Sequence, residues 1–128
     1  MYGRRKEAFE SYRNNSVEMQ SQGKLVHMLY EGVVRFCGQA ERAIEASNMP
    51  EAHTNIIKAQ NILNELMNTL KLDTGDVANQ LLALYEYMVY QLIQANMHKK
   101  NQPQVSINLL KEVSGLMGDL AQTWKSIL

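Results

Sequence analysis

Residues 80–100 read QLLALYEYMVYQLIQANMHKK, with apolar side chains at spacings of three and four. At about 100° per residue, Leu81, Leu84, Tyr85, Met88, Leu92 and Ala95 fall on one stripe, which predicts an amphipathic helix with that stripe turned to a core. Leu82, Val89 and Ile93 form a second stripe beside it, widening the apolar arc to about half the helix where a little over 100° suffices. Tyr87 and Tyr90 lie on the far side among Glu86, Gln91 and Gln94. The inner stripe decides the fold class. The outer one needs a cover, either a neighbouring helix packed close or a partner's amphipathic segment.

The same period extends outward in both directions, because only two prolines and seven glycines punctuate the 128 residues. A first helix is expected from about Gly23 to Ser47, with Ser21 as N-cap and Leu25, Leu29, Gly32, Val33, Phe36, Ala40 and Ala43 inward. SNMP at 47–50 ends it. Pro50 suits the first turn of a second helix, which continues to about Leu70 through Ile56, Ala59, Leu63, Leu66, Met67 and Leu70. LDTGD at 72–76 breaks that helix, and Asp73 or Thr74 is placed to cap the third, which stops near Lys99. A fourth runs from about Pro103 to the end with Leu109, Val113, Leu116 and Leu120 inward, flanked by Leu110, Met117 and Trp124. Short connections between long helices favour antiparallel neighbours, so the expected fold is all-α, an up-down-up-down four-helix bundle. One domain is expected over 1–128, with residues 1–20 a short N-terminal helical leader and 21–128 the bundle.

Composition narrows the function classes. Thirteen basic and thirteen acidic residues cancel, so no global field recruits nucleic acid or anionic lipid. GRRK at 3–6 reads as a solvated terminal run. The single Cys37 allows no internal disulfide, and neither a signal peptide nor a membrane span is visible, so an intracellular, reducing compartment is expected. The residues three before His27, His53 and His98 are Lys24, Pro50 and Ala95, so the Glu-x-x-His pairs of di-iron bundles are missing. No metal, cofactor or phosphate site is expected, and no catalytic constellation: the histidines are dispersed, Cys37 sits at the edge of an apolar arc, and DTGD carries acids beside its one glycine.

Surface for a protein partner remains. Eight methionines and six tyrosines supply adaptable, partly exposable apolar area, although at helical spacing such residues usually belong to a core. EAFESYRNNSVEMQ at 7–20 adds Phe9 and Tyr12, three apart on an otherwise polar leader and so on one face of a helical turn. They dock either permanently on the bundle or as a removable cover of a groove. A scaffold that homodimerises through the wide face of the third helix is the alternative function class; an enzyme or metal carrier is the weaker third.

Several segments together resemble one family. KLVHMLYEGVVRF at 24–36 resembles the opening of the first long helix in the flagellar secretion chaperones of the FliS family, where Leu, two residues, Met-Leu-Tyr, an acid and Gly follow in order. IIKAQNILNELMNTL at 56–70 is similar to that family's second helix, TGDVANQLLALYEYMVYQLIQANMHKKN at 74–101 to its third, and TWKSI at 123–127 to its close. The leader aromatics match too. The resemblance covers nearly the whole chain in order and spacing. It implies an antiparallel helical bundle in the bacterial cytoplasm that holds the disordered C-terminal segment of flagellin, prevents premature polymerisation, and delivers it to the flagellar type III export apparatus, without cofactor or ATP. The implied partners are flagellin, an export-gate component, and a co-chaperone or flagellin-assembly regulator. In the family the leader covers part of the flagellin site and is displaced on binding; Phe9 and Tyr12 match those positions. The expected partner-binding residues are therefore Phe9, Tyr12, Leu82, Val89 and Ile93, the last three lining a groove.

Overall fold

A computed structural model describes residues 2–70 and 75–126, with side chains from residue 22 onward. Four helices follow one another: α1 Tyr2–Glu45, α2 Met49–Asn68, α3 Asp76–His98 and α4 Pro103–Ser126. Each packs on the two beside it in the cyclic order α1, α2, α3, α4, which sets α1 diagonal to α3 and α2 diagonal to α4. Neighbours run antiparallel. The end of α4 meets the early part of α1 where Trp124 Nε1 donates to the Gly23 carbonyl at 2.9 Å. The start of α2 meets the end of α3 through His53 and Asn96, 3.0 Å apart. Ser106, near the start of α4, donates its hydroxyl to the Ala95 carbonyl at 2.7 Å, near the end of α3. This is the expected up-down-up-down bundle.

The helix ends follow local chemistry. The chain leaves α1 through Ser47, which has φ 57°, the left-handed conformation. Asn48 N–H then bonds the Ala43 carbonyl at 2.8 Å and Ser47 N–H the Ile44 carbonyl at 3.0 Å, closing a Schellman motif. Asn48 turns at once to cap α2, its Oδ1 accepting from Glu51 N–H at 3.3 Å, with Pro50 in the first turn. A serine with a Cβ is strained at φ 57° where glycine is not, so Ser47→Gly should raise unfolding stability by about 1 kcal/mol in urea titration, with an unchanged m-value.

Two expected ends move. Helix α1 does not begin at Gly23 with Ser21 as cap; its backbone is helical from Tyr2, so Ser21 lies inside it and the leader continues into the first bundle helix. The lone Gly23 costs a helix only about 1 kcal/mol, and no proline lies between residues 2 and 49, so nothing there forces a break. At α3 the N-cap is Gly75, with φ 122° and no side-chain cap bond, which moves the cap past Asp73 and Thr74. Those two residues lie outside the described ones.

The core is built on alternating spacings of three and four, the pattern of left-handed bundle packing. Helix α1 contributes Tyr30, Val33, Cys37, Ala40 and Ile44; α2 Ala52, Ile56, Ala59, Leu63 and Leu66; α3 Tyr85, Met88, Leu92 and Ala95; α4 Leu110, Val113, Met117 and Ala121. The stripe expected on α3 is buried at four positions and half-buried at Leu81 and Leu84. On α1 the expected Gly32, Val33, Ala40 and Ala43 are buried, and on α4 Val113 is, but the centre of each stripe is shifted by about one residue. Leu25 is 49% exposed and Leu29 and Phe36 are half-buried, whereas Tyr30 and Cys37 are central. Leu109, Leu116 and Leu120 flank the core that Leu110 and Met117 fill. Both helices carry apolar arcs broad enough for either centre. Tyr30 decides it on α1, because its hydroxyl finds Tyr85 only from the bundle axis.

Two buried polar residues escaped the pattern. Asn55 bonds back to the Glu51 carbonyl and carboxylate at 2.9 and 3.1 Å, and Ser106 to Ala95, so each is satisfied and neither disturbs the core. Cys37 is wholly buried, and its thiol is pushed up to about 12, chiefly by burial and secondly by Glu41. It is therefore a neutral thiol at working pH. Native protein at pH 8 should resist iodoacetamide, reacting only in denaturant, with mass spectrometry as the readout.

Candidate functional site

The described residues leave a cleft toward one end of the bundle, where α2 and α4 finish and α3 begins. Residues 22–30 of α1, the C-terminal turn of α2, the first turns of α3 and Trp124 of α4 surround a cleft of about 570 Å³. Its walls are Leu25, Val26 and Leu29 from α1, Leu66 from α2 with Leu70 just beyond that helix, and Leu81 from α3; Tyr30 and Tyr85 also line it. Gln22 and Thr69 supply polar side chains among the lining, and none of the described lining residues is charged. Such a site takes apolar groups of a partner and offers few fixed polar contacts.

Aromatic contacts hold this end in shape. Tyr30 meets Tyr85 with ring centroids 6.3 Å apart and an interplanar angle of 60°, and meets Trp124 at 6.0 Å and 74°, both edge-on. The two phenol oxygens lie 2.6 Å apart across the bundle diagonal. Burial raises the pKa of each hydroxyl; for Tyr85 the hydrogen bond with Tyr30 pushes further in the same direction. The Trp124 indole, bonded to the Gly23 carbonyl, ties the last turns of α4 to α1 beside the cleft. Gly32, one turn on, lets α2 come close: a Cβ there would stand 3.0 Å from Ile62 Cδ1.

A second apolar surface lies on α3. Tyr87 donates to Glu112 of α4, and Gln91 donates to the same carboxylate at 3.3 Å, so that flank belongs to the α4 contact. Asn96, one heptad after Val89, touches His53, so the flank bearing Leu82 and Val89 belongs to the α2 side. Val89 packs against the core and Leu82 is half-buried. Ile93 stays 42% exposed and joins Tyr90 and Met97, 60% and 64% exposed, on the outer face. The outer stripe is thus divided: its inner edge is partly covered by the neighbouring helix, and its outer edge is open. Phe9 and Tyr12 lie on α1 before the first described side chain.

The cleft had no counterpart in the sequence reading. It is assembled from the middle of α1, which contributes six residues, and from the end of α2, the first turns of α3 and the last turns of α4, which contribute one to three each, so no single helix announces it. The signal that was present is aromatic: Tyr30, Tyr85 and Trp124 are bulky groups on or beside core-facing stripes, and all three meet at the cleft.

Over residues 5–128 the chain matches the family model described as "Flagellar protein FliS". It is 37% identical over 120 residues to the Flagellar secretion chaperone FliS of Bacillus subtilis (strain 168), covering 94% of this chain and 85% of that protein. The protein of the same name from Escherichia coli (strain K12) is 34% identical over 116 residues, or 89% of this chain and 81% of its own. This chain belongs to the FliS family. The FliS resemblance seen in the leader-to-close order of segments is therefore a true relationship, and the match runs through both the cleft and α3. The FliS relatives carry the name of a chaperone, a non-enzymatic role. Among the described residues no group of three or more His, Cys, Asp or Glu is placed to hold a metal ion, and no helix is long and apolar enough to cross a membrane.

Proposed function

We propose that the chain is a cytoplasmic export chaperone that binds the disordered C-terminal segment of flagellin, keeps it from polymerising, and hands it to a component of the flagellar type III export gate. The observation that carries this reading is a cleft of about 570 Å³, apolar and uncharged among its described residues, in a chain of the FliS family, with a further exposed apolar face on α3. A segment that is unfolded alone costs several kcal/mol to order, and that cost must be offset by burying an extended apolar strip. One pocket is too small for this. The cleft and the outer face of α3 at Tyr90, Ile93 and Met97 together offer separated docking points that a wrapped segment can join.

Rigidity supports the role. The core is packed from Tyr30 to Ala121, so the partner is proposed to order itself on a bundle that keeps its shape. Leu82, Val89 and Ile93 keep their proposed place at the edge of the partner surface, with Ile93 the residue a partner reaches and Val89 supporting it from below. Phe9 and Tyr12 are proposed to meet the same surface from the leader and to give way to flagellin. A co-chaperone or flagellin-assembly regulator would compete there.

Purification of the chain from its own flagellated cell tests the reading. Flagellin in near-stoichiometric amount supports it, whereas a pure self-associated species by analytical ultracentrifugation supports the homodimeric scaffold instead.

A further inference from the structure

Tyr30 and Tyr85 are both fully buried and approach each other across the bundle diagonal, from α1 and α3. Each phenol carries one O–H hydrogen and can accept as well. Their single mutual contact at 2.6 Å uses one of the two hydrogens. The other has no acceptor among the described residues, and a buried donor left unmatched costs free energy comparable to a lost hydrogen bond. Both residues line the cleft.

We infer that the Tyr30–Tyr85 pair donates this second hydrogen to the segment that occupies the cleft, and that the acceptor is an amide carbonyl. The inference rests on the proposed reading of the cleft as the flagellin site. The chemistry of the lining selects the acceptor. With no charged side chain among the described residues of the lining, a carboxylate would enter an apolar space with no counter-charge from them, at a large desolvation cost. An amide oxygen is neutral and accepts a phenol readily. Burial keeps both hydroxyls protonated at neutral pH, so the donor is always present. Carbonyls within a helix are already bonded to their own chain; a main-chain acceptor therefore requires the segment to be extended, or to end a helix, where it crosses the two tyrosines. The pair thus sets the register of an otherwise adaptable apolar contact.

The test uses Tyr30→Phe, Tyr85→Phe and the double variant, each titrated calorimetrically with a flagellin C-terminal fragment, with circular dichroism and unfolding midpoints as fold controls. The two hydroxyls act in series, one donating to its partner and the partner to the ligand. One single variant should therefore bind about three- to tenfold more weakly than the parent, the value of one neutral hydrogen bond. The other single should stay within about twofold, and the double should match the weaker single. All three within about twofold of the parent would overturn the inference, leaving the contact purely structural or satisfied by water. If the double variant fails to fold, the inequality of the two singles decides. Fragment variants with each Asn or Gln changed to Leu identify the carbonyl: retention of the parent-to-double difference assigns it to the main chain, its loss to that side chain. A parent that does not bind the fragment at all refutes the proposed function and is distinguishable from both outcomes.

Discussion

Leu25→Asp should fold as the parent does and lose at least thirtyfold in affinity for the flagellin C-terminal segment, about 2 kcal/mol or more. Leu25 lines the cleft but is 49% exposed, so a carboxylate there reaches water in the free protein. In the complex the same carboxylate would be buried against apolar side chains with no cation among the described residues of the lining, and that asymmetry is what separates binding from stability. Isothermal titration gives the affinity and thermal unfolding gives the control. Ile93→Asp makes the matching test on α3. It is better suited than a substitution at Val89, which packs against the core, so that a charge there would damage the fold and confuse the two effects. A loss at Leu25 with none at Ile93 would confine the partner to the cleft; a loss at both would show that one segment spans the end of the bundle and the face of α3.

Leu92→Ala and Ile93→Ala, at adjacent positions, should differ by about 2 kcal/mol or more in unfolding stability. Leu92 is wholly buried in the core, and truncating such a leucine removes transfer free energy and leaves a cavity, together about 3 kcal/mol. For a domain of this size that lowers the unfolding midpoint by roughly 10 °C. Ile93 is 42% exposed on the outer face, so its truncation should cost under about 1 kcal/mol. Urea titrations of the two variants measure the difference. Equal effects would mean that the outer stripe is as well covered as the inner, and would remove the basis for an accessible face on α3.

How far the sequence carried these conclusions differs from element to element. The inner stripe of α3 was legible because Tyr85, Met88, Leu92 and Ala95 sit on a helix whose apolar period is strong and whose two flanks differ. The exit from α1 and the start of α2 were legible because a serine-asparagine turn and Pro50 each have a local mechanism. The phases of α1 and α4 were off by about one residue because Leu29, Phe36, Leu109 and Leu116 make arcs wider than the core they serve. A sum of hydrophobicities cannot tell the centre of such an arc from its edge; the pairing of Tyr30 with Tyr85, 55 positions apart, can. The start of α1 was misplaced because Gly23 and the polar leader suggest a boundary that helix energetics do not enforce.

The candidate site was legible only in outline. The excess of apolar residues on α3 announced a partner surface, and the tertiary structure then divided it, seating Val89 and leaving Ile93 with Tyr90 and Met97 outside. The cleft was not legible, because Leu25, Leu70, Leu81 and Trp124 come from four helices and meet only when the bundle forms. Leu25 is instructive in this respect. Its place on an apolar stripe suggested core, and its actual place, at an end where the helices diverge, makes it the most exposed wall of the cleft.

Binding of an unfolded flagellin segment at this cleft is best measured by calorimetric titration of the unmodified chain with a flagellin C-terminal fragment, repeated at several temperatures. Saturable one-to-one binding with a large negative heat-capacity change, as expected when an extended apolar strip leaves water, is the predicted result. No saturable heat at any temperature, from chain and fragment both verified as intact, would contradict it.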